Sequence, residues 1–140
     1  LPVDGEKIPL GTPVPVDGTR FDFRTSRPVQ EAGEAPLDHN FCLAGSRSED
    51  LHPACLLEVP DGVQLEVSTT EPGLQVYDGV GIDTSPFSGH SGKPCLSRAG
   101  IAIEPQCWPD APNHSDYPAI TLMPGETSRQ ISRFAVKRPS

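Results

Sequence analysis

The clearest pattern in the chain is a strict alternation of apolar and polar residues over residues 64–70. One face carries Leu, Val and Thr and the other carries Gln, Glu and Ser, which is typical of a half-buried β-strand. A mostly apolar run at 54–59 comes shortly before it, and Asp61-Gly62 between the two is a hairpin-turn signal. The pattern therefore predicts an antiparallel β-hairpin.

Further segments bounded by Gly and Pro predict three more strands, at 74–80, 99–106 and 119–123. The turn signal at 124–126 (PGE) predicts a final strand at about 127–137. The segments that join the strands are rich in turn-forming residues and predict loops or extended chain, at 1–20, 26–36, 44–53 and 81–97. No internal repeat or convincing helix is present. Strands that alternate with Gly/Pro turns predict an all-β, antiparallel architecture.

Alternation also places chemistry on one side of two predicted strands. In 74–80, Gln75 and Tyr77 oppose the apolar residues, and in 99–106 Glu104 does the same. A carboxylate, an amide and an aromatic ring on one surface suit a sugar, which offers hydroxyls and apolar C–H faces. The pattern alone favours a simpler interpretation, in which these residues form the solvated side of an amphipathic sheet.

Composition narrows the class of protein. A chain of 140 residues is long enough for one domain and one core, and 17 prolines with 13 glycines argue against a helical bundle. No apolar stretch of about 18 residues predicts a membrane span, so no membrane partner is expected. The net charge is −8, with basic residues gathered near the C-terminal end, and an acidic body disfavours nucleic acid as a partner.

The four cysteines, Cys42, Cys55, Cys95 and Cys107, form no CxxC pair, which argues against a zinc ribbon or a thioredoxin-like site. The sequence also contains no GxGxxG, HExxH or phosphate-binding loop, so no metal and no other cofactor is expected. We expect buried, reduced thiols in a cytoplasmic protein, because residues 1–5 lack the pattern of a secretory signal. Without an initiator Met, the chain is expected to begin after a cleavage or inside a longer gene product.

Four segments in register resemble one family, and two shorter ones at 1–4 (LPVD) and 122–127 (LMPGET) agree with it. The four are 18–24 (GTRFDFR), 37–43 (LDHNFCL), 67–77 (VSTTEPGLQVY) and 100–114 (GIAIEPQCWPDAPNH). In this order and spacing they resemble the C-terminal part of the aldose 1-epimerase, or galactose mutarotase, family. The resemblance covers nearly the whole of 1–140. It implies a large antiparallel β-sandwich of galactose-mutarotase type, whose concave sheet binds a free aldohexose.

The resemblance also implies roles for individual residues. Glu104 matches the family's catalytic base, which takes the proton from the anomeric hydroxyl. Asp38 matches a carboxylate that hydrogen-bonds a sugar hydroxyl, and Gln75 matches a glutamine at the sugar site. His39 matches a family motif position and is a further candidate for sugar binding, with a structural role in its loop as the alternative.

In the family the general acid is a histidine of the N-terminal half, a region to which this chain has no counterpart. We therefore expect the N-terminal half of the same protein as a companion chain or segment. The sequence leaves two alternatives to an aldose 1-epimerase: a catalytically silent sugar-binding β-sandwich, and a mutarotase that acts on hexose 6-phosphates.

Overall fold

The structure is a computed structural model, and it describes residues 1–31 and 33–138. Within these described residues, six β-strands and one short 3₁₀ helix follow one another. They are β1 (Asp38–Cys42), β2 (His52–Glu58), β3 (Gln64–Thr69), β4 (Gly73–Tyr77), β5 (Ala102–Gln106), the 3₁₀ helix (Ala111–Asn113) and β6 (Ser132–Lys137). The prediction of an all-β chain is confirmed.

The strands form two antiparallel sheets of three strands each. One sheet has the order β1-β4-β5 and the other the order β2-β3-β6. In each sheet the central strand is paired on both sides, which satisfies its backbone N–H and C=O groups. The first sheet carries the predicted site residues, and the second sheet lies behind it.

The main hydrophobic core fills the space between the sheets. Its centre is Leu37, Leu74 and Val76, each at most 9% exposed, and Ala54 and Cys55 of β2 pack against them. Leu74 and Val76 lie two residues apart on β4, so both point to this core. The packing of two antiparallel sheets through this core confirms the predicted β-sandwich.

A second cluster lies beside the end of β5. Trp108, Ala111 and Tyr117 are buried there, and the Trp108 and Tyr117 rings meet edge-to-face with centroids 5.1 Å apart. The Trp108 indole N–H donates to the backbone carbonyl of Pro72, 2.9 Å away. Trp108 therefore packs in the interior and ties the segment after β5 to the start of β4.

The predicted hairpin is confirmed as β2 and β3, with Gly62 in the left-handed region at φ 81°. β2 begins at His52, so the expected loop at 44–53 ends two residues earlier than predicted. The strand predicted at 74–80 is β4, which ends at Tyr77 because Gly79 turns the chain at φ 72°.

Other strand predictions were wrong, either in the existence of the strand or in where it begins. Residues 119–123 form no strand, and Ile120, Leu122 and Met123 are 44–58% exposed. Their segment is flanked by prolines, which lack the N–H that a sheet ladder needs. The strands predicted at 99–106 and 127–137 begin later, at Ala102 and Ser132. β1 was missed because its polar residues hide the alternation.

The four cysteines are unpaired, but the expectation of buried thiols is wrong for Cys95, which is exposed in the long loop between β4 and β5, and Cys42, Cys55 and Cys107 are only half-buried. Burial raises the pKa of the Cys42 and Cys55 thiols, so both stay protonated at neutral pH. Across the described ranges, no helix has both the length and the apolar character that crossing a bilayer requires.

Candidate functional site

The outer face of the first sheet carries a row of polar side chains. Gln75 lies in the middle strand, directly opposite Asn40 of β1 on one side and Glu104 of β5 on the other. Directly paired residues of an antiparallel sheet point to the same face. Because Leu74 and Val76 point into the core, this row must point away from it.

Asp38 lies on the same face, two residues before Asn40, and contacts the row directly. The side-chain amide of Gln75 donates a hydrogen bond to Asp38 Oδ1 at 2.7 Å. This bond fixes the orientation of both groups. It directs the Gln75 NH₂ group toward the carboxylate, so the acceptor of this side chain is its amide oxygen.

These side chains line an open groove of about 360 Å³, which is large enough for a monosaccharide. The floor comes from the polar row, and one wall comes from the N-terminal segment that folds over the sheet. The lining residues are Leu1, Val3, Lys7, Pro9, Asp38, Asn40, Gln75, Tyr77, Glu104, Gln106 and Pro109. The structure thus brings Asp38, Gln75 and Glu104 together, although they are up to 66 positions apart in the chain.

A buried carboxylate behind the groove positions the start of β1. Asp78 is 4% exposed, and its Oδ2 accepts from the Leu37 N–H at 3.2 Å while its Oδ1 accepts from the Val80 N–H at 3.1 Å. The Asp78 N–H in turn donates to the Leu37 carbonyl at 2.9 Å. Asp38 follows Leu37 in the chain, so these bonds set its position relative to β4.

His39 lies on the opposite face from the groove. Its ring sits 4.6 Å from the ring of Phe21, which packs against the core, and its Nδ1 accepts from the Asp38 N–H at 3.0 Å. Burial, and then the nearby cation of Arg20, lowers the pKa of His39, so the imidazole is neutral at pH 7. The structure does not bring His39 to the groove with the other three predicted residues, and the position matches the structural alternative.

The remaining histidines also lie away from the groove. His114 Nε2 lies 3.2 Å from Asp110 Oδ2, and its ring stacks on Tyr117 with centroids 4.3 Å apart. His52 lies on β2 and His90 in the exposed loop between β4 and β5. All four histidines belong to the described residues, and none of them lines the groove.

Two polar residues of the groove that the sequence did not single out are Lys7 and Asn40. Asn40 is 3% exposed, and its side-chain oxygen has no hydrogen-bond partner among the described residues. Its position two residues after Asp38 was the available signal, since strand residues i and i+2 share a face. Lys7 gave no such signal, because it reaches the groove through the folding of a turn.

Chemically, the groove offers a carboxylate base, a second carboxylate that accepts hydrogen bonds, and amides that bind hydroxyls. Glu104 is exposed at the groove, where a substrate hydroxyl can approach it. Within 1–31 and 33–138, no group of three or more His, Cys, Asp or Glu side chains is arranged to hold a metal ion. The arrangement suits hydrogen-bonded recognition of a polyol and proton transfer to or from it.

Comparison with known proteins decides the family. The family model described as Aldose 1-epimerase matches residues 1–135. The chain belongs to the aldose 1-epimerase family. It is 41% identical over 138 residues to a galactose mutarotase of Rattus norvegicus, covering 96% of this chain and 40% of that protein.

Two further relatives agree with this assignment. A galactose mutarotase of Homo sapiens is 39% identical over 130 residues, covering 90% of this chain and 37% of that protein. An aldose 1-epimerase of Escherichia coli is 31% identical over 144 residues, covering 96% of this chain and 41% of that protein. The chain thus spans about two fifths of the length of the curated relatives it matches.

Membership of the aldose 1-epimerase family confirms the resemblance drawn from the four sequence segments. It also agrees with the groove, because the lining residues outside the N-terminal segment come from three of those segments. The family is enzymatic, as the names of these relatives state.

Proposed function

We propose that this chain forms part of an aldose 1-epimerase that interconverts the α and β anomers of free aldohexoses such as galactose or glucose. The observation that carries the proposal is the groove in which Glu104 stands directly opposite Gln75, with Asp38 bonded to the same amide. Anomer interconversion needs a base for the anomeric hydroxyl and groups that bind the other hydroxyls. The groove provides a carboxylate for the first task and a second carboxylate and an amide for the second.

The reaction divides into balanced proton transfers. The Glu104 carboxylate removes the proton of the anomeric hydroxyl, while the ring oxygen takes a proton from an acid as the bond between C1 and the ring oxygen breaks. The open aldehyde rotates about the bond between C1 and C2. The ring oxygen then attacks the other face of C1, and both protons return to their starting groups. Each positioned proton transfer contributes about 10²–10⁴-fold.

Asp38 and Gln75 hold the substrate during these steps. Asp38 accepts a hydrogen bond from one hydroxyl through the oxygen that Gln75 does not occupy. The Gln75 side-chain oxygen accepts from a second hydroxyl. Neither group has to change its protonation state, so both act in orientation.

The resemblance to the family implies that the general acid is a histidine, and none of the four histidines of this chain lines the groove. The acid of the proposed reaction therefore comes from protein outside residues 1–140. Exposed apolar residues of the second sheet are evidence for an additional protein segment that covers it. Phe134 and Val136 of β6 face the same side as Val67 and Leu65, their partners on β3. Val67 is 1% exposed, whereas Phe134 and Val136 are 51% and 69% exposed. This uncovered apolar strip fits packing against the N-terminal half of the family's domain.

The four unpaired cysteines support a cytoplasmic setting.

The base is tested by Glu104→Gln in the complete natural polypeptide that contains this chain. Polarimetry on freshly dissolved α-D-glucose and α-D-galactose should show a rate at least about 100-fold lower, because the amide cannot take up the proton. Glu58→Gln, which changes an exposed strand glutamate on the second sheet, is the matched control and should leave the rate unchanged. An unchanged rate in Glu104→Gln would remove Glu104 as the base.

The need for a companion segment is tested by expressing residues 1–140 alone. We expect an inactive product that associates or is poorly soluble, and we expect activity when the N-terminal half is supplied in the same cell. A monomeric, cooperatively folding and active 1–140 would contradict both the missing acid and the missing cover. A silent sugar-binding protein would bind galactose in both forms without changing its rate of anomerisation.

A further inference from the structure

Lys7 reaches the groove from the N-terminal segment, and its ammonium Nζ lies 3.6 Å from Asp38 Oδ2. This oxygen is the one that Gln75 leaves unoccupied, since the Gln75 amide is bonded to Oδ1. Lys7 therefore stands beside the oxygen that the proposed function assigns to a sugar hydroxyl.

A closed turn presents this lysine. Asp4 Oδ1 accepts from the backbone N–H groups of Glu6 and Ile8 at 2.8 and 3.0 Å, and the Asp4 N–H donates to the Ile8 carbonyl at 2.9 Å. Lys7 itself sits in the left-handed region at φ 69°, which is uncommon for a residue other than glycine. The turn thus holds a non-glycine residue in a costly conformation at the position where its side chain meets Asp38.

The contact is close enough for attraction but too long for a direct hydrogen bond. Charge-assisted N–H···O bonds are about 2.7–2.9 Å long. At 3.6 Å, the N–H donors of Lys7 and the lone pairs of Asp38 Oδ2 both retain capacity for a third partner. The pair combines a group that only donates with a group that only accepts.

We propose that Lys7 and Asp38 together recognise two neighbouring hydroxyl groups of the substrate, and this inference rests on the proposed function. One hydroxyl donates its proton to Asp38 Oδ2, and its neighbour accepts from the Lys7 ammonium. Neighbouring hydroxyls of a pyranose lie within one hydrogen-bond length of each other, so a single diol spans the pair. Lys7 is then a specificity-determining residue for the proposed reaction.

The test uses the complete natural polypeptide with Lys7→Met, which keeps the length of the side chain and removes its donors. For glucose and galactose, KM should rise about tenfold while kcat changes by less than about threefold, because a bond made equally in ground and transition states affects binding. Lys7→Arg keeps the charge and should restore most of the affinity. Thermal melting of each variant, with Lys7→Gln as a second uncharged substitution, shows whether a rise in KM comes from weaker binding or from loss of folded protein.

The decisive readout is a panel of monodeoxy sugars. In the wild type, removal of the hydroxyl that Lys7 binds should raise KM about tenfold. In Lys7→Met, removal of that same hydroxyl should have almost no further effect, whereas removal of other hydroxyls should retain its full effect. Such coupling at one hydroxyl, or at two adjacent hydroxyls, supports the diol pair, that is, Lys7 and Asp38 acting together on two neighbouring hydroxyl groups.

A lysine of the second sheet gives a matched control. Lys137 pairs with Glu66, and their side chains are 57% and 34% exposed, against 58% and 32% for Lys7 and Asp38. Lys137→Met should change neither KM nor the deoxy-sugar pattern.

Three outcomes would overturn the inference. The first is an unchanged KM in Lys7→Met. The second is a loss of affinity in Lys7→Met that is spread evenly over all deoxy sugars. The third is a loss of affinity confined to hexose 6-phosphates or hexuronates, which would show that Lys7 binds an anionic group. A wild type that acts on none of these sugars would instead refute the proposed function, and the diol pair with it. If the wild type is active and Lys7→Met has the same KM as the wild type, the diol pair alone is refuted.

Discussion

The buried carboxylate of Asp78 gives the most quantitative test of how the site is held in place. Asp78→Asn keeps the shape of the side chain but replaces one acceptor oxygen with an NH₂ group. The two oxygens serve different donors, the N–H groups of Leu37 and Val80, so one of these donors must lose its partner. An unsatisfied polar group in the interior costs about 1–3 kcal/mol.

The third contact of Asp78 adds little to this sum. Its Oδ2 lies 3.4 Å from Nε of Arg98, whose side chain is 47% exposed, and such partly solvated pairs contribute at most about 1 kcal/mol. We expect Asp78→Asn to lower the free energy of unfolding by about 2 kcal/mol at pH 7, measured from urea unfolding of the complete polypeptide. Asp83→Asn is the control, because exposed Asp83 accepts one backbone N–H, from Ser85, and its change should stay within about 0.5 kcal/mol.

The pH dependence gives a second measurement on the same variant. Burial raises the pKa of Asp78, but hydrogen bonds from Val80 and Leu37 and the contact with Arg98 outweigh burial and lower it below its ordinary value of 3.8. A lowered pKa in the folded state stabilises the protein above the unfolded-state pKa, and this contribution is lost as pH falls through the folded-state pKa. The stability difference between wild type and Asp78→Asn should therefore shrink below about pH 3.8. A difference that is absent at pH 7, or constant down to pH 3, would refute the reasoning.

Two further variants test packing around the site. Gly73→Ala should lower the free energy of unfolding by about 1–3 kcal/mol, because an added Cβ would lie 2.8 Å from Asn40 Oδ1 and 3.0 Å from Trp108 Cδ1. Gly45→Ala, where the methyl group meets open space, should be nearly neutral in the same urea titration. His39→Gln should reduce the loss of stability between pH 7 and pH 5. The lowered pKa of His39 means that, below about 6.5, the unfolded state takes up a proton before the folded state does. Equal pH profiles for the wild type and His39→Gln would contradict the burial of this ring.

The hairpin and the two faces of β4 could be predicted because their signal is local. In β3 and β4 the apolar residues alternate with polar ones, and the structure buries Val67, Leu74 and Val76 as the alternation requires. The failed strand at 119–123 shows the limit of such reasoning. An apolar run between two prolines has the composition of a strand, but whether a partner strand lies beside it is decided elsewhere in the chain.

The candidate site depended on two kinds of information. The faces of Gln75 and Glu104 followed from alternation, whereas Asp38 and His39 were singled out by family resemblance, which marks positions without giving their directions. Lys7 lay beyond both, because it approaches Asp38 through a turn 31 positions earlier in the chain. Contacts of this kind depend on tertiary packing.

The opposite fates of Asp38 and His39 follow from the core and not from either residue. Burial of Leu74 and Val76 contributes about 1.5–3 kcal/mol for each side chain, and it forces Gln75 to face outward. The pairing of β1 with β4 then places Asn40 opposite Gln75, and with it Asp38 on the groove side. A slip of one residue in that pairing would bring the neutral imidazole of His39 to the groove and turn Asp38 toward the core, where its charge would lack a partner. Hydrophobic burial and the bonds of Asp78 therefore maintain the register on which the proposed chemistry depends.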